Sequence, residues 1–281
     1  MYMEHKIETA KARIAEFCNG KRVLCAFSGG KDSQTCYQLL KETGVPFVAQ
    51  YSITRLDPPE LLDFIRANYP DVTFRRDYTA SLVAEIKYRG LPNRWNRWCC
   101  ASKHLASKDF DISVVGIRAA ESPRRRDTWR MFGRKTDGTH YICPIIDWTA
   151  EDVWTFLRSR NVPHCRLYDE GMSRIGCACC PLAPNHIREQ AERWPRIANA
   201  LRIGFERHWR SVVRRGGVTR RGKRFKMLDD FKSSSDAFEY WLSHGSVVKL
   251  AADEESPCAF AGTGYSESDT IHDDDAWLEI S

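Results

Sequence analysis

The sequence predicts an α/β protein, a doubly wound and mostly parallel sheet followed by a helical C-terminal region. Three observations predict it. Short β-rich apolar runs recur at 22–27, 45–52, 72–75 and 111–117. The last of these, DISVVGI, has the uninterrupted apolar stretch of a strand buried on both faces of a parallel sheet. Helical patterns separate the runs, so strand and helix alternate as in successive βα units.

Each element follows in order. Residues 1–20 are charged throughout and lack the apolar segment of a secretory signal, so they read as an amphipathic helix. The run at 22–27 passes straight into Gly29-Gly30 and a helical pattern, the opening of a βα unit. In LDPPELLDFIRANYP, prolines stand where a helix begins and again where it ends. WTAEDVWTFLRSRNV reads as a helix with Thr149 as N-cap and an acidic first turn. After about residue 185 the pattern is helical and basic, with a Gly-rich basic loop at 214–226. The expected organisation is therefore 1–185, a nucleotide and cysteine domain; 186–250, a basic helical region; and 251–281, an acidic tail rich in Ser and Gly.

Charge and cysteine content narrow the function. The chain of 281 residues has net charge +6, but nine acidic residues and no Lys or Arg lie beyond residue 250. The preceding body is thus strongly basic and suits a polyanionic ligand, a nucleotide or nucleic acid. No apolar run of about 18 residues occurs, so no membrane partner is expected, and the expected compartment is the cytoplasm. Eleven cysteines are many for a reducing compartment, where a cluster of them indicates metal or redox chemistry. Cys18, Cys25 and Cys36 sit in apolar patterns and read as core residues.

The loop Ser28-Gly29-Gly30-Lys31-Asp32-Ser33 lies between strand and helix N-terminus. Glycines there turn backbone N–H groups inward, and the helix dipole favours an anion. Ser28 and Ser33 add hydroxyls and Lys31 adds charge. Cys25 and Asp32 exclude the Walker A pattern, which needs Gly and Ser or Thr at those places. Cys177 and Cys180 form a Cys-x2-Cys half-site for a metal centre. Its other half must come from far upstream, where Cys99 and Cys100 stand.

The SGGKDS loop resembles the PP-loop of the ATP pyrophosphatases. With LDPPEL, VVGIRAAESPRR, CPIIDWTAEDVW and LYDEGMSRIGCACCP, the chain resembles the phosphoadenosine phosphosulfate (PAPS) reductase-like branch of that superfamily. The resemblance implies the HUP/PP-loop fold. It implies a loop that grips the β,γ-pyrophosphate of ATP through Ser28 to Ser33, with Asp32 holding Mg²⁺. Lys31, Asp32, Lys103 and Arg118 are the implied catalytic groups, and Arg118 and Arg125 the implied phosphate ligands. It also implies a 4Fe-4S cluster, with zinc as the alternative. Cys99, Cys165, Cys177 and Cys180 form the favoured ligand set, because Lys103 follows Cys99 by four places and Trp98 stands where a first cysteine would. Cys100 is the reserve ligand, and Cys179 is expected to point elsewhere.

Relatives that reduce sulfonucleotides need a C-terminal cysteine in an ECG[IL]H-like motif, and Cys258 in ESPCAFAG lacks that setting. The intact loop favours ATP. The implied activity is an AMP-forming ATP pyrophosphatase in sulfur transfer, of the phage and DNA-phosphorothioation type, with DNA or tRNA as acceptor and a cysteine desulfurase as sulfur donor. Two alternatives stay open: a sulfonucleotide reductase that releases sulfite, and a non-enzymatic zinc-stapled nucleic-acid-binding protein.

Overall fold

The computed structural model describes residues 2–76, 80–100, 106–135, 138–218 and 224–249. Residues Met1–Leu250 form one compact unit. Its centre is a six-stranded sheet in the order β3-β2-β1-β4-β6-β5. Strands β1 (Val23–Ala26), β2 (Phe47–Ser52), β3 (Thr73–Arg75), β4 (Ile112–Val114) and β6 (His140–Ile142) run parallel. Only β5 (Phe132–Arg134) is antiparallel, paired with β6. The expected α/β class and parallel sheet are therefore present. The β5–β6 hairpin has no counterpart in the sequence reading: three-residue strands are too short to carry a period.

The helices flank the sheet for legible reasons. In α1 (Tyr2–Cys18), Ile7, Ala10, Ile14 and Cys18 are buried at steps of three and four, a single apolar stripe. Helix α2 (Lys31–Thr43) follows β1 and stops at Gly44, whose φ of +71° suits glycine. Helix α3 (Pro59–Asn68) has proline in its first turn. In α6 (Ala150–Ser159), Thr149 and Asp152 exchange side-chain and backbone bonds as a capping box. Asp152 also takes Lys6 Nζ at 2.6 Å, which ties α6 to α1. Helices α4 (Leu82–Arg89) and α5 (Pro123–Thr128) are capped by Ser81 and Ser122, whose hydroxyls accept the N–H of Ala84 and Arg125.

Two apolar cores result. The first lies on the sheet and includes Cys18, Cys25, Cys36 and Cys165. The second is helical. Helices α7 (Ile187–Arg193), α8 (Pro195–Arg214), α9 (Met227–Asp230) and α10 (Ser234–His244) contribute Ile187, Leu201, Phe205, Met227, Phe238 and Trp241. They share it with Leu56, Leu82, Trp98 and Cys99 from earlier in the chain. At the α4–α8 crossing a Cβ on Gly204 would stand 2.7 Å from Ile86 Cβ, so glycine permits the approach. Among the described residues no helix is long and apolar enough to cross a membrane.

Candidate nucleotide and cysteine site

The phosphate loop joins β1 to α2 as expected. Gly29 has φ of +71°, a conformation glycine adopts freely. Gly30 is the N-cap of α2 and supplies no side-chain cap; the Tyr168 hydroxyl takes the first N–H of the helix instead. The loop's hydroxyls mostly stitch the loop itself. Ser33 Oγ donates to Gly30 O at 2.8 Å and accepts from Ser28 N–H at 3.1 Å; Ser28 Oγ lies 3.1 Å from it.

Cations gather at this end of the sheet. Lys31 is buried, and its Nζ donates to Ser173 O at 3.1 Å and lies 3.5 Å from Asp32. Arg118 is also buried and donates from Nε to Asp32 Oδ1 at 2.6 Å. Gly116 makes this geometry possible. A Cβ there would meet the Asp32 carbonyl carbon and oxygen at 2.6 Å and Ser33 N at 2.9 Å, so the chain after β4 lies directly on the first turn of α2. Ala119 N–H then bonds Ile146 O at 2.8 Å and fixes the following turn. Glu121 accepts the Arg118 N–H and pairs with Arg125. Burial and Arg174 hold the Arg125 guanidinium below its usual range, against the opposing pull of Glu121 and Asp32. Lys103 lies outside the described residues.

The Asp32 carboxylate, the expected magnesium ligand, is paired here with Arg118 and Lys31. Its observed task is to hold Arg118 beside the loop.

Three residues of the site escape the sequence reading. Tyr168 accepts the Lys31 backbone N–H at 2.9 Å, and its ring lies 5.5 Å from Lys31 Nζ. Burial pushes its phenol up to about 12, while the bond from Lys31 acts the other way. Ser173 and Arg174 follow on the same segment. The only signal for them was their place in LYDEGMSRIG, directly before the Cys-x2-Cys turn.

The cysteines divide between the two cores. Cys99 is buried in the helical core, hydrogen-bonds Cys100, and lies within the electrostatic reach of Cys100, Cys177 and Cys180. That bond, burial and the three neighbouring thiols push its own thiol well up. Cys177 Sγ is 3.3 Å from Thr54 Oγ1, and Ala178 N–H bonds Leu56 O at 2.6 Å, so the Cys-x2-Cys turn docks on the 54–57 turn. Asp57 builds that turn by accepting from Thr54 N–H, Thr54 Oγ1 and Tyr51 Oη. Trp98 is fully buried, its indole N–H on Gly90 O at 3.1 Å. Cys179 has φ of +52°, and its N–H bonds Gln190. It points into the helical core.

Cys165, expected as the fourth ligand, lies apart from the other three cysteines of that set. It lies in the sheet core, and its thiol faces Glu60 O at 3.8 Å. The charges that act on it are those of Glu60, Arg166 and Glu170, with no cysteine among them. Cys100, the reserve, is the residue beside Cys99. Among the described residues no three His, Cys, Asp or Glu side chains converge as the ligands of one ion do.

Residues 22–183 match the family described as the phosphoadenosine phosphosulfate reductase domain, and the chain belongs to that family. An uncharacterized protein of Methanocaldococcus jannaschii is 33% identical over 213 residues, covering 67% of this chain and 43% of that protein. Adenosine 5'-phosphosulfate reductase 2 of Bacillus subtilis is 28% identical over 197 residues, covering 62% of this chain and 79% of the relative. The chain thus spans about half the length of the archaeal relatives it matches. The crystal structure of a phosphoadenylyl-sulfate reductase from Candida auris is similar at 16% identity with a TM-score of 0.46, covering 62% of this chain and 93% of that one.

Proposed function

We propose that this member of the PAPS reductase family is an AMP-forming ATP pyrophosphatase that activates an acceptor for sulfur transfer. One observation carries the reading: an intact Ser28-to-Ser33 loop at the N-terminus of α2, beside Lys31, Arg118, Arg125 and Arg174. Backbone N–H groups and the α2 dipole would receive the β,γ-pyrophosphate. An acceptor oxygen attacks the α-phosphorus, its bond to the bridging oxygen breaks, and pyrophosphate leaves. The four cations oppose the charge that grows on the leaving group. A sulfur nucleophile, supplied by a donor such as a cysteine desulfurase, then displaces AMP from the acceptor. Magnesium would enter on the nucleotide's phosphates; no step is assigned to it through Asp32.

The cysteines proposed to hold a 4Fe-4S cluster are Cys99, Cys100, Cys177 and Cys180. The donors are four thiols from two distant segments, and the charges acting on Cys99 are thiols alone. Zinc is the alternative occupant. When bound, such a cluster would supply a site for sulfur or would brace the two segments. A nucleic acid is the proposed acceptor class, DNA phosphorothioate or thiolated tRNA being the two forms, on the strength of the basic body.

The test is product analysis with ATP labelled at the α- or γ-phosphate, with and without nucleic acid. AMP and pyrophosphate are expected; ADP and phosphate would refute the reading. The relative named adenosine 5'-phosphosulfate reductase favours a second reading, sulfite release from a sulfonucleotide. Sulfite formation with a thiol reductant, and no affinity for ATP, would establish it instead.

A further inference from the structure

Helix α8 (Pro195–Arg214) has two unlike faces. Leu201, Gly204, Phe205, His208 and Val212 are buried. Arg196, Arg202, Arg207, Arg210 and Arg214 are exposed. The helix has one acidic residue, Glu206, and it pairs with Arg210 at 2.5 Å. Arg202 donates to Asn199. Arg196, Arg207 and Arg214 have no ionic or hydrogen-bonding partner among the described residues. At 3.6 residues per turn these three fall within about 20° of one line. At 1.5 Å rise they stand about 16 and 10 Å apart along it. Three unopposed guanidinium groups therefore form a straight row about 27 Å long.

We infer that this row is a docking face for the phosphodiester backbone of a nucleic acid. The inference rests on the proposed acceptor class and gives it a place. Guanidinium groups bind phosphate bidentately and stay charged, so a line of them suits a polymer with regular phosphates. A lipid surface would need an exposed apolar face beside the charges. Here the apolar face of α8 is occupied by the helical core, and Val213 is its one exposed large hydrophobic. An acidic peptide would need its carboxylates placed to match gaps of about 16 and 10 Å, whereas a phosphodiester strand offers a charge about every 3.4 Å along the whole row.

The test uses the full chain and two probes, bulk tRNA and a 30-base-pair DNA duplex, with affinity measured from about 50 to 200 mM salt. The arms distinguish the RNA and DNA sources of the same phosphodiester. Changing Arg196, Arg207 and Arg214 together to Gln should weaken binding of the preferred probe at least tenfold. For the duplex it should lower the slope of log affinity against log salt by about 2 to 3. Removing three exposed cations elsewhere (Lys21, Lys41 and Arg66) should leave affinity within about twofold. AMP formation from ATP without nucleic acid should be unchanged in both variants, so failure of the row is separable from failure of the proposed activity. Unchanged affinity and slope in the row variant would overturn the inference. So would an equal loss in the control, which would make net charge the cause, or binding of an acidic peptide in preference to either nucleic acid.

Discussion

The phosphate end and the cysteine end of this molecule are built by different physics. The phosphate loop is held by main chain. Its strand sits in the middle of a parallel sheet, Gly116 lies on the first turn of α2, and the loop hydroxyls bond the loop's own backbone. The cysteine end is held largely by side chains that bond main-chain carbonyls, two within one segment and one from 149 residues away. Trp98 reaches Gly90 O, Trp241 reaches Pro92 O at 2.8 Å, and Asn96 reaches Arg89 O at 3.0 Å. One end therefore depends on close backbone approach. The other depends on a helical core assembled from segments more than a hundred residues apart, with a metal centre as its proposed staple.

The largest effects should fall on the cysteine end. Changing Cys177, Cys180, Cys99 or Cys100 to Ser should remove the metal and much of the soluble yield, because metal binding can supply on the order of 10 kcal/mol of folding energy. Cys165→Ser should keep the metal and cost only about 1 to 2 kcal/mol, since it adds a hydroxyl to the sheet core. Iron, zinc and sulfide assays after anaerobic purification decide this. Metal loss in Cys165→Ser with retention in Cys100→Ser would restore the ligand set expected from the sequence.

The proposed set differs from the expected one for a physical reason. The position of Lys103 relative to Cys99 is a distance along the chain. Which thiols meet is decided by how the 54–57 turn receives Cys177 and by which core each cysteine enters. Cys165 enters the sheet core with Leu167 and Ile175, and nothing local in PHCRLYDEG marks that choice. The sheet and the phosphate loop were legible because apolar runs and a glycine pair encode them within a few residues. Thr149 as a cap was legible for the same reason. Tyr168, Gly116 and the Arg118–Asp32 pair were not assigned those contacts, because each acts across more than 80 residues of chain.

The phosphate end should break at its backbone. Gly116→Val would place atoms within 3 Å of main chain on α2, and neither side can yield as a flexible side chain could. We expect a stability loss of about 3 kcal/mol, the upper range for overpacking, with nucleotide binding lost in whatever folds. Denaturant midpoints and pyrophosphate binding measure the two. If the variant matches the parent in both, close approach is not what holds this end together.

The smallest effect concerns pH and should belong to the cysteine end alone. His208 is buried where α8 meets α4, its Nδ1–H donating to Lys87 O at 2.8 Å. Its ring packs near Phe205 and Phe225, and a Cβ on Gly90 would meet its Nε2 at 3.2 Å. Burial, with the nearby Arg215, holds its pKa below 6.5 in spite of the bond to Lys87. The folded protein thus keeps the ring neutral where the unfolded chain would take up a proton. Stability is full above about pH 6.5 and is lost as pH falls through 6.5 toward the folded value, by at most about 1.4 kcal/mol per pH unit. His208→Gln keeps an N–H for Lys87 O and removes the titration. Its unfolding free energy should fall less steeply than the parent's between pH 6.5 and 5.5, and the midpoint of pyrophosphate binding should not move with the substitution. Equal slopes in parent and variant would show that this buried imidazole does not set the acid sensitivity of the helical core. A shift in pyrophosphate binding would instead show that the two ends are coupled through α4 and α8.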